Sequence, residues 1–148
     1  MSVETIHARI VSIVRNLAPS RNASTLYECV ADGRGGHVEV EDLVQRDRSF
    51  VVALRPSRPT QHTGTGARPD VIQKLDVRVG YSVPAGGDRA RAEMLAFDDA
   101  NDLGFAIVES PANWAGDFDF ARPAGETVID DAPGGIVLRV AFEIGHAS

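Results

Sequence analysis

At 148 residues, with 43% apolar and 24% charged side chains, the chain has the size and balance of one soluble globular domain, and it can bury a core without disulfides or metals. A single cysteine, Cys29, excludes an internal disulfide framework and any multi-cysteine zinc site. The formal net charge of −6 argues against a sequence-nonspecific DNA binder, and the absence of any bilayer-length apolar run or basic-then-apolar leader points to a cytosolic chain with no membrane partner.

The charge is unevenly placed. Residues 1–91 carry 13 basic against 10 acidic residues, a net of +3, whereas residues 92–148 hold only Arg122 and Arg139 against 11 acids, a net of −9. Such asymmetry either serves contacts between neighbouring copies, where unlike patches attract, or simply solvates the surface.

Residues 2–17 read as an amphipathic helix. Val3, Ile6, Ile10, Ile13, Val14 and Leu17 recur at helical spacing, Ser2 is placed to cap it, Glu4 suits the first turn, and Pro19 stops it. His7 falls at the margin of that apolar stripe. Residues 25–30 fit either a short strand or a helical turn, and the glycine-rich 31–36 reads as a loop. It lacks the Lys-Ser/Thr ending of a phosphate-binding loop. Residues 37–40 alternate like a short strand, and 41–44 can start a brief helix. Residues 49–55 are a strand by their β-branched and aromatic content, ended by Pro56.

A long connection, 56–70, follows. It carries three prolines and a basic cast from Arg58 and Arg68, with Arg55 at its entrance. We read it as a projecting arm, since long unstructured connections between strands tend to be functional. The next strand alternates cleanly. Leu75, Val77, Val79, Tyr81 and Val83 form one side, and Asp76, Arg78, Gly80 and Ser82 the other, so it pairs antiparallel with 50–55.

A turn at 84–87 leads into a helix over 88–103, with Asp88 as its N-cap. Ala90, Met94, Phe97 and Asn101 fall on one line, which Leu95 and Leu103 extend into an apolar stripe. Arg89 and Arg91 lie in the first turn and Asp98, Asp99 and Asp102 late, the reverse of what the helix dipole favours. A charge pattern that does not serve the helix is available for a partner. Gly104 is expected to end or kink the helix, and 105–108 to begin a further strand. Trp114, Phe118 and Phe120 anchor an irregular 110–125 segment. A hairpin closes the chain, in which Ile136, Leu138, Val140, Phe142 and Ile144 line one face of the last strand.

The pattern is therefore α+β: an antiparallel or mixed sheet of about four to five strands packed by two main helices, in one domain spanning 1–148. No catalytic, cofactor or metal constellation is recognisable. The four histidines are scattered, no nucleophile elbow occurs, and the aspartates at 98, 99 and 102 do not follow an EF-hand pattern. The expectation is a protein that is not an enzyme. A small ligand-binding or enzymatic α+β domain is the alternative.

In layout the chain resembles the tail terminator (tail completion, head–tail joining) family of long-tailed phages. The resemblance rests on the helix over 3–17, the strand-loop-strand over 50–83, the helix over 88–103 and the ending GGIVLRVAFEIGH. It implies a structural virion protein, assembled in the host cytoplasm, that forms a hexameric ring without a cofactor. The ring would cap the tail tube protein, meet the head-side connector and let DNA pass without sequence-specific binding. Another neck or tail-tube component of the virion is a further alternative. Arg55, Arg58 and Arg68 on one side, and Asp98, Asp99 and Asp102 on the other, are the residues expected at the contact between subunits.

Overall fold

The computed structural model describes residues 3–17, 27–28, 38–55, 58–59, 70–114 and 118–147. Within them lie helix α1 (Val3–Arg15), strand β1 (Tyr27–Glu28), helix α2 (Val40–Gln45), strands β2 (Ser49–Leu54), β3 (Arg58–Pro59) and β4 (Asp70–Ser82), helix α3 (Arg89–Ile107), and strands β5 (Phe120–Pro123), β6 (Val128–Ala132) and β7 (Gly135–Ala147). The strands make one sheet in the order β1-β2-β4-β7-β5, with β3 also pairing β4 and β6 also pairing β7. The pairings are antiparallel apart from the parallel β1–β2 contact. The fold is α+β with an open sheet, as its alternation implies.

The two long strands set the frame. β4 and β7 pair along their whole length, from Asp70 opposite Ala147 to Ser82 opposite Gly135. Leu75, Val77, Val79 and Tyr81 are buried on the same side as Ile136, Leu138, Val140, Phe142 and Ile144. Ile6, Ile10, Ile13 and Val14 of α1, with Leu103 and Ile107 of α3, cover that side in one continuous core. A shift of one residue in either strand would turn this apolar row to water, which fixes the register. The Pro133–Gly134 turn joining β6 to β7 is tight, and Gly134 takes the positive φ of +83° that such a turn requires.

Among the described residues the other face carries α2, at one end. Leu43 and Val44 pack there with Val137, beside the half-buried Val51. Gly80 lies directly beneath: a Cβ on it would stand 2.2 Å from the Leu43 carbonyl oxygen. Residues 38–39 are not a strand but the lead into α2, where the Glu39 amide donates to the Asp42 carboxylate at 2.9 Å. A local side-chain cap thus outweighs a four-residue alternation.

α3 departs most from expectation. It begins as anticipated, Asp88 accepting from the Arg91 amide at 3.1 Å, but it runs through Gly104 to Ile107, so 105–108 is not a strand. Its last carbonyls are then taken by side chains that follow it. Trp114 Nε1 donates to the Ile107 carbonyl at 2.7 Å, and Asn113 Nδ2 to that of Ala106 at 2.9 Å. Trp114 and Phe118 are buried and stacked at 4.7 Å, so these aromatics anchor the segment as expected, but 120–123 is not irregular: it is β5, paired with β7. His7 also does what its position implies: half-buried, it donates from Nε2 to the Val52 carbonyl at 3.0 Å.

The 56–70 connection is partly strand. Arg58 and Pro59 pair with Ile72 and Val71, and Asp70 already belongs to β4. The rest of that arm, Cys29 and the glycine-rich 31–36 lie outside the described residues.

Candidate functional site

Three features of the surface and interior bear on function. The first is the outward face of α3. The sheet-facing side is built from Ala96, Asp99, Leu103, Ala106 and Ile107, with Ala92, Leu95 and Ala100 partly buried beside them. The line of Ala90, Met94, Phe97 and Asn101 therefore points to water, with Phe105 continuing it. Met94 is 63% exposed, Phe97 56% and Phe105 63%. Alanines at 92, 96, 100 and 106 let α3 lie close on the sheet beside Leu103 and Ile107, and Met94, Phe97 and Phe105 are left outside. The outer side of α3 therefore carries exposed large apolar groups on a helix already packed on its other side.

Beside Phe105, α1 and α3 diverge into a groove of about 510 Å³. Its apolar lining includes Ile13, Leu17 and Phe105, and Arg9, Asp102 and Asn113 line it with polar groups. This volume can receive one or two large side chains or a small molecule.

The second feature is a buried polar triad under α3. Asp99 is fully buried and accepts from Arg48 Nε at 3.1 Å, from Arg48 Nη2 at 2.7 Å and from the Tyr81 hydroxyl at 2.6 Å. The triad ties the turn before β2, the end of β4 and the middle of α3 together. Arg48 is itself held by its backbone, with a positive φ of 59° and its amide donating to the Gly80 carbonyl at 2.7 Å. Burial, and after it the Asp99 carboxylate, raise the Tyr81 phenol far above its ordinary value.

That shift has a measurable sign. A group whose folded pKa is raised keeps its full stabilising contribution below its unfolded pKa, about 10 for tyrosine, and loses it as pH rises further. Stability to urea is expected to fall above about pH 10, with Tyr81 contributing about 1.4 kcal/mol per pH unit to the slope. Tyr81→Phe should remove that contribution. An unchanged alkaline slope in Tyr81→Phe would contradict the assignment.

The third feature lies on the far face, beyond α2. Asp76 is fully buried between the small Ala53 and Ala141 of the neighbouring strands. It receives Arg55 at 2.7 Å and Arg78 at 3.3 Å, and its Oδ1 has no protein partner among the described residues. Arg78 stands directly opposite Arg139 across β4 and β7, and Arg139 approaches Asp130 at 3.9 Å. These cations are matched by neighbouring acids, so this face is a lattice of ion pairs and not a concentrated field of one sign.

Of the six residues expected on the two sides of a subunit contact, the side chains of Arg55, Asp98, Asp99 and Asp102 are described. Asp98 and Asp102 are half-buried on α3, with Asp102 in the groove. Asp99 is corrected: its carboxylate is enclosed with Arg48 and Tyr81 and reaches no surface. Arg55 lies on the opposite face of the sheet from these acids, bound to Asp76. The side chain of Arg58 and the whole of Arg68 lie outside the described residues. Sequence reasoning put Leu95 and Leu103 on one stripe with Met94 and Phe97, whereas the structure turns the two leucines to the core and Met94 and Phe97 outward. The signal for them was the spacing of Ala92, Ala96 and Ala100, which marks the close-packed side of the helix.

Among the described residues no group of three or more His, Cys, Asp or Glu side chains is placed to hold a metal, and no helix is long and apolar enough to cross a membrane. Compared with protein-family models and with curated proteins, the chain matches none.

Proposed function

We propose that the chain is a structural subunit that assembles with copies of itself into a ring of the tail-terminator kind, closing a phage tail tube and presenting a surface to the head-side connector. The observation that carries the reading is the outward face of α3, where Met94, Phe97 and Phe105 stand more than half exposed on a helix already packed on its other side. Covering each of them contributes roughly 1–2 kcal/mol, a fraction of full side-chain burial. Repeated around a ring, that gain favours closed assembly over the monomer.

Two further features support it. The order of helix, hairpin, helix and closing strand is that of the resembling family. Among the described residues the fully buried carboxylates, Asp76 and Asp99, are each paired with arginines within the fold. In this reading the net charge of −6 keeps passing DNA from adhering to the ring.

Negative-stain imaging of the purified chain, alone and with tail tubes from the same particle, tests the proposal. Rings of about six copies, or caps at one end of the tubes, are expected. Single copies at high concentration that leave the tubes uncapped would overturn it.

A further inference from the structure

We infer that the far face of the sheet holds a binding site for a small oxyanion that still carries a proton, in the first place a free hydrogen phosphate ion. Asp76 accepts the hydrogen bond from its O–H group, and Arg55 holds its charge. This site is independent of ring assembly.

The carboxylate of Asp76 is engaged on one oxygen only. Its Oδ2 takes Arg55 Nε at 2.8 Å, Arg55 Nη2 at 2.7 Å and Arg78 Nη2 at 3.3 Å. Its Oδ1 takes no donor among the described residues, although the side chain is fully buried. A guanidinium fork ordinarily spans both oxygens of a carboxylate. Here two guanidiniums crowd onto one of them. A buried oxygen without a donor costs about 1–3 kcal/mol, which a ligand O–H would recover.

Two clefts meet at this residue, of about 390 Å³ and 160 Å³, and Arg55, Asp76, Ala124 and Ala141 line both. Ala53 and Ala141 stand opposite Asp76 on either side, so the floor is a dent with a carboxylate at its base. The loop after β5 walls it, held by the bond from the Ala124 amide to the Ala141 carbonyl at 2.9 Å. Arg55 is the wall common to the two clefts, and its side chain is 43% exposed. Turning it from Asp76 toward a ligand costs little packing and opens the way to Oδ1.

The chemistry of this floor selects the ligand. Oδ1 requires a donor. A cationic donor would be the third positive group on one carboxylate, and like charges oppose it. A bare anion would set its own lone pairs against Oδ1. Counting the linings and their ion-pair partners, five cations stand against four acids among the described residues, an excess that suits one small oxyanion and not a polyanion. An oxyanion with an O–H meets both demands. Inorganic phosphate keeps a proton at neutral pH, sulfate keeps none, and a phosphate monoester loses its last one around about pH 6.

Calorimetric titration at low ionic strength and about pH 7.5 tests the site, since hydrogen phosphate and sulfate are there close in size and charge and differ in the proton. Phosphate is expected to bind one to one and about tenfold or more tightly than sulfate, the worth of one charge-assisted hydrogen bond. Phosphoserine should bind at about pH 5.5 and be lost by about pH 7.5. Asp76→Asn, whose amide can donate, should bring sulfate level with phosphate. If that variant unfolds, Ala141→Leu fills the dent without touching a charge. It should abolish phosphate binding and keep the wild-type unfolding midpoint. Equal binding of sulfate and phosphate by wild type, undiminished binding of phosphoserine at about pH 7.5, no phosphate binding at millimolar concentration, or wild-type binding by Ala141→Leu would each overturn the site.

Discussion

Asp99→Ala should lower the stability of the fold by about 3–5 kcal/mol, because it leaves the Arg48 guanidinium buried without its counter-charge. Arg48 is 3% exposed, Tyr81 and Asp99 are fully enclosed, and the carboxylate takes two bonds from the guanidinium and one from the phenol. Arg48 cannot easily swing out to water. Its backbone is fixed in a left-handed turn by the bond from its amide to the Gly80 carbonyl, at 2.7 Å. Removing the carboxylate therefore strands a charge and a hydroxyl together. Urea unfolding at neutral pH measures the loss. Asp99→Asn, which keeps the shape and one or two acceptors, is expected to lose less than Asp99→Ala. A loss under about 1 kcal/mol for Asp99→Ala would mean that the turn reopens and that the triad does not hold α3 to the sheet.

Gly80→Ala is expected to cost about 3 kcal/mol, at the upper end of the usual cost of overpacking. The added methyl would stand 2.2 Å from the Leu43 carbonyl oxygen and 2.4 Å from its carbon, and both are backbone atoms that no rotamer change can move. Either α2 lifts from the sheet, exposing Leu43 and Val44, or β4 bends and disturbs its pairing with β2. Hydrogen exchange separates these outcomes from simple tolerance. Amides of 40–48 should exchange much faster in the variant than in wild type. Unchanged exchange and an unchanged unfolding midpoint would show that α2 is not seated on Gly80.

How much of this was legible in the chain depends on whether the cause was local. β4 and β7 could be read because a strict two-residue alternation over many residues leaves one solution, and each strand supplied five apolar residues on one side. Asp88, Trp114 and Phe118 announced their roles by residue type. α3 was misread in two ways. Gly104 suggested a stop, but a glycine within a helix costs only about 1 kcal/mol, and side chains from 113 and 114 cap the end three residues further on. The stripe joined two faces: Leu95 and Leu103, read as extending the line of Met94 and Phe97, lie on the opposite, sheet-facing side among the alanines that close packing selects. Asp99 looked like a surface acid among acids. Its partner Arg48 lies 51 residues away in sequence, and only the meeting of α3 with the turn before β2 reveals the pair.

That misreading of α3 moved the candidate contact. The charges of the helix first drew attention to it, but its apolar face is now the surface on which the account depends. The most direct measurement is the molar mass of Met94→Asp with Phe97→Asp beside wild type, at matched concentration, by light scattering. The account predicts an assembly of several copies for wild type and a monomer for the double substitution. Thermal stability should be the same within about 0.5 kcal/mol, since both side chains are exposed in the single subunit. An equal mass for the two proteins would contradict it.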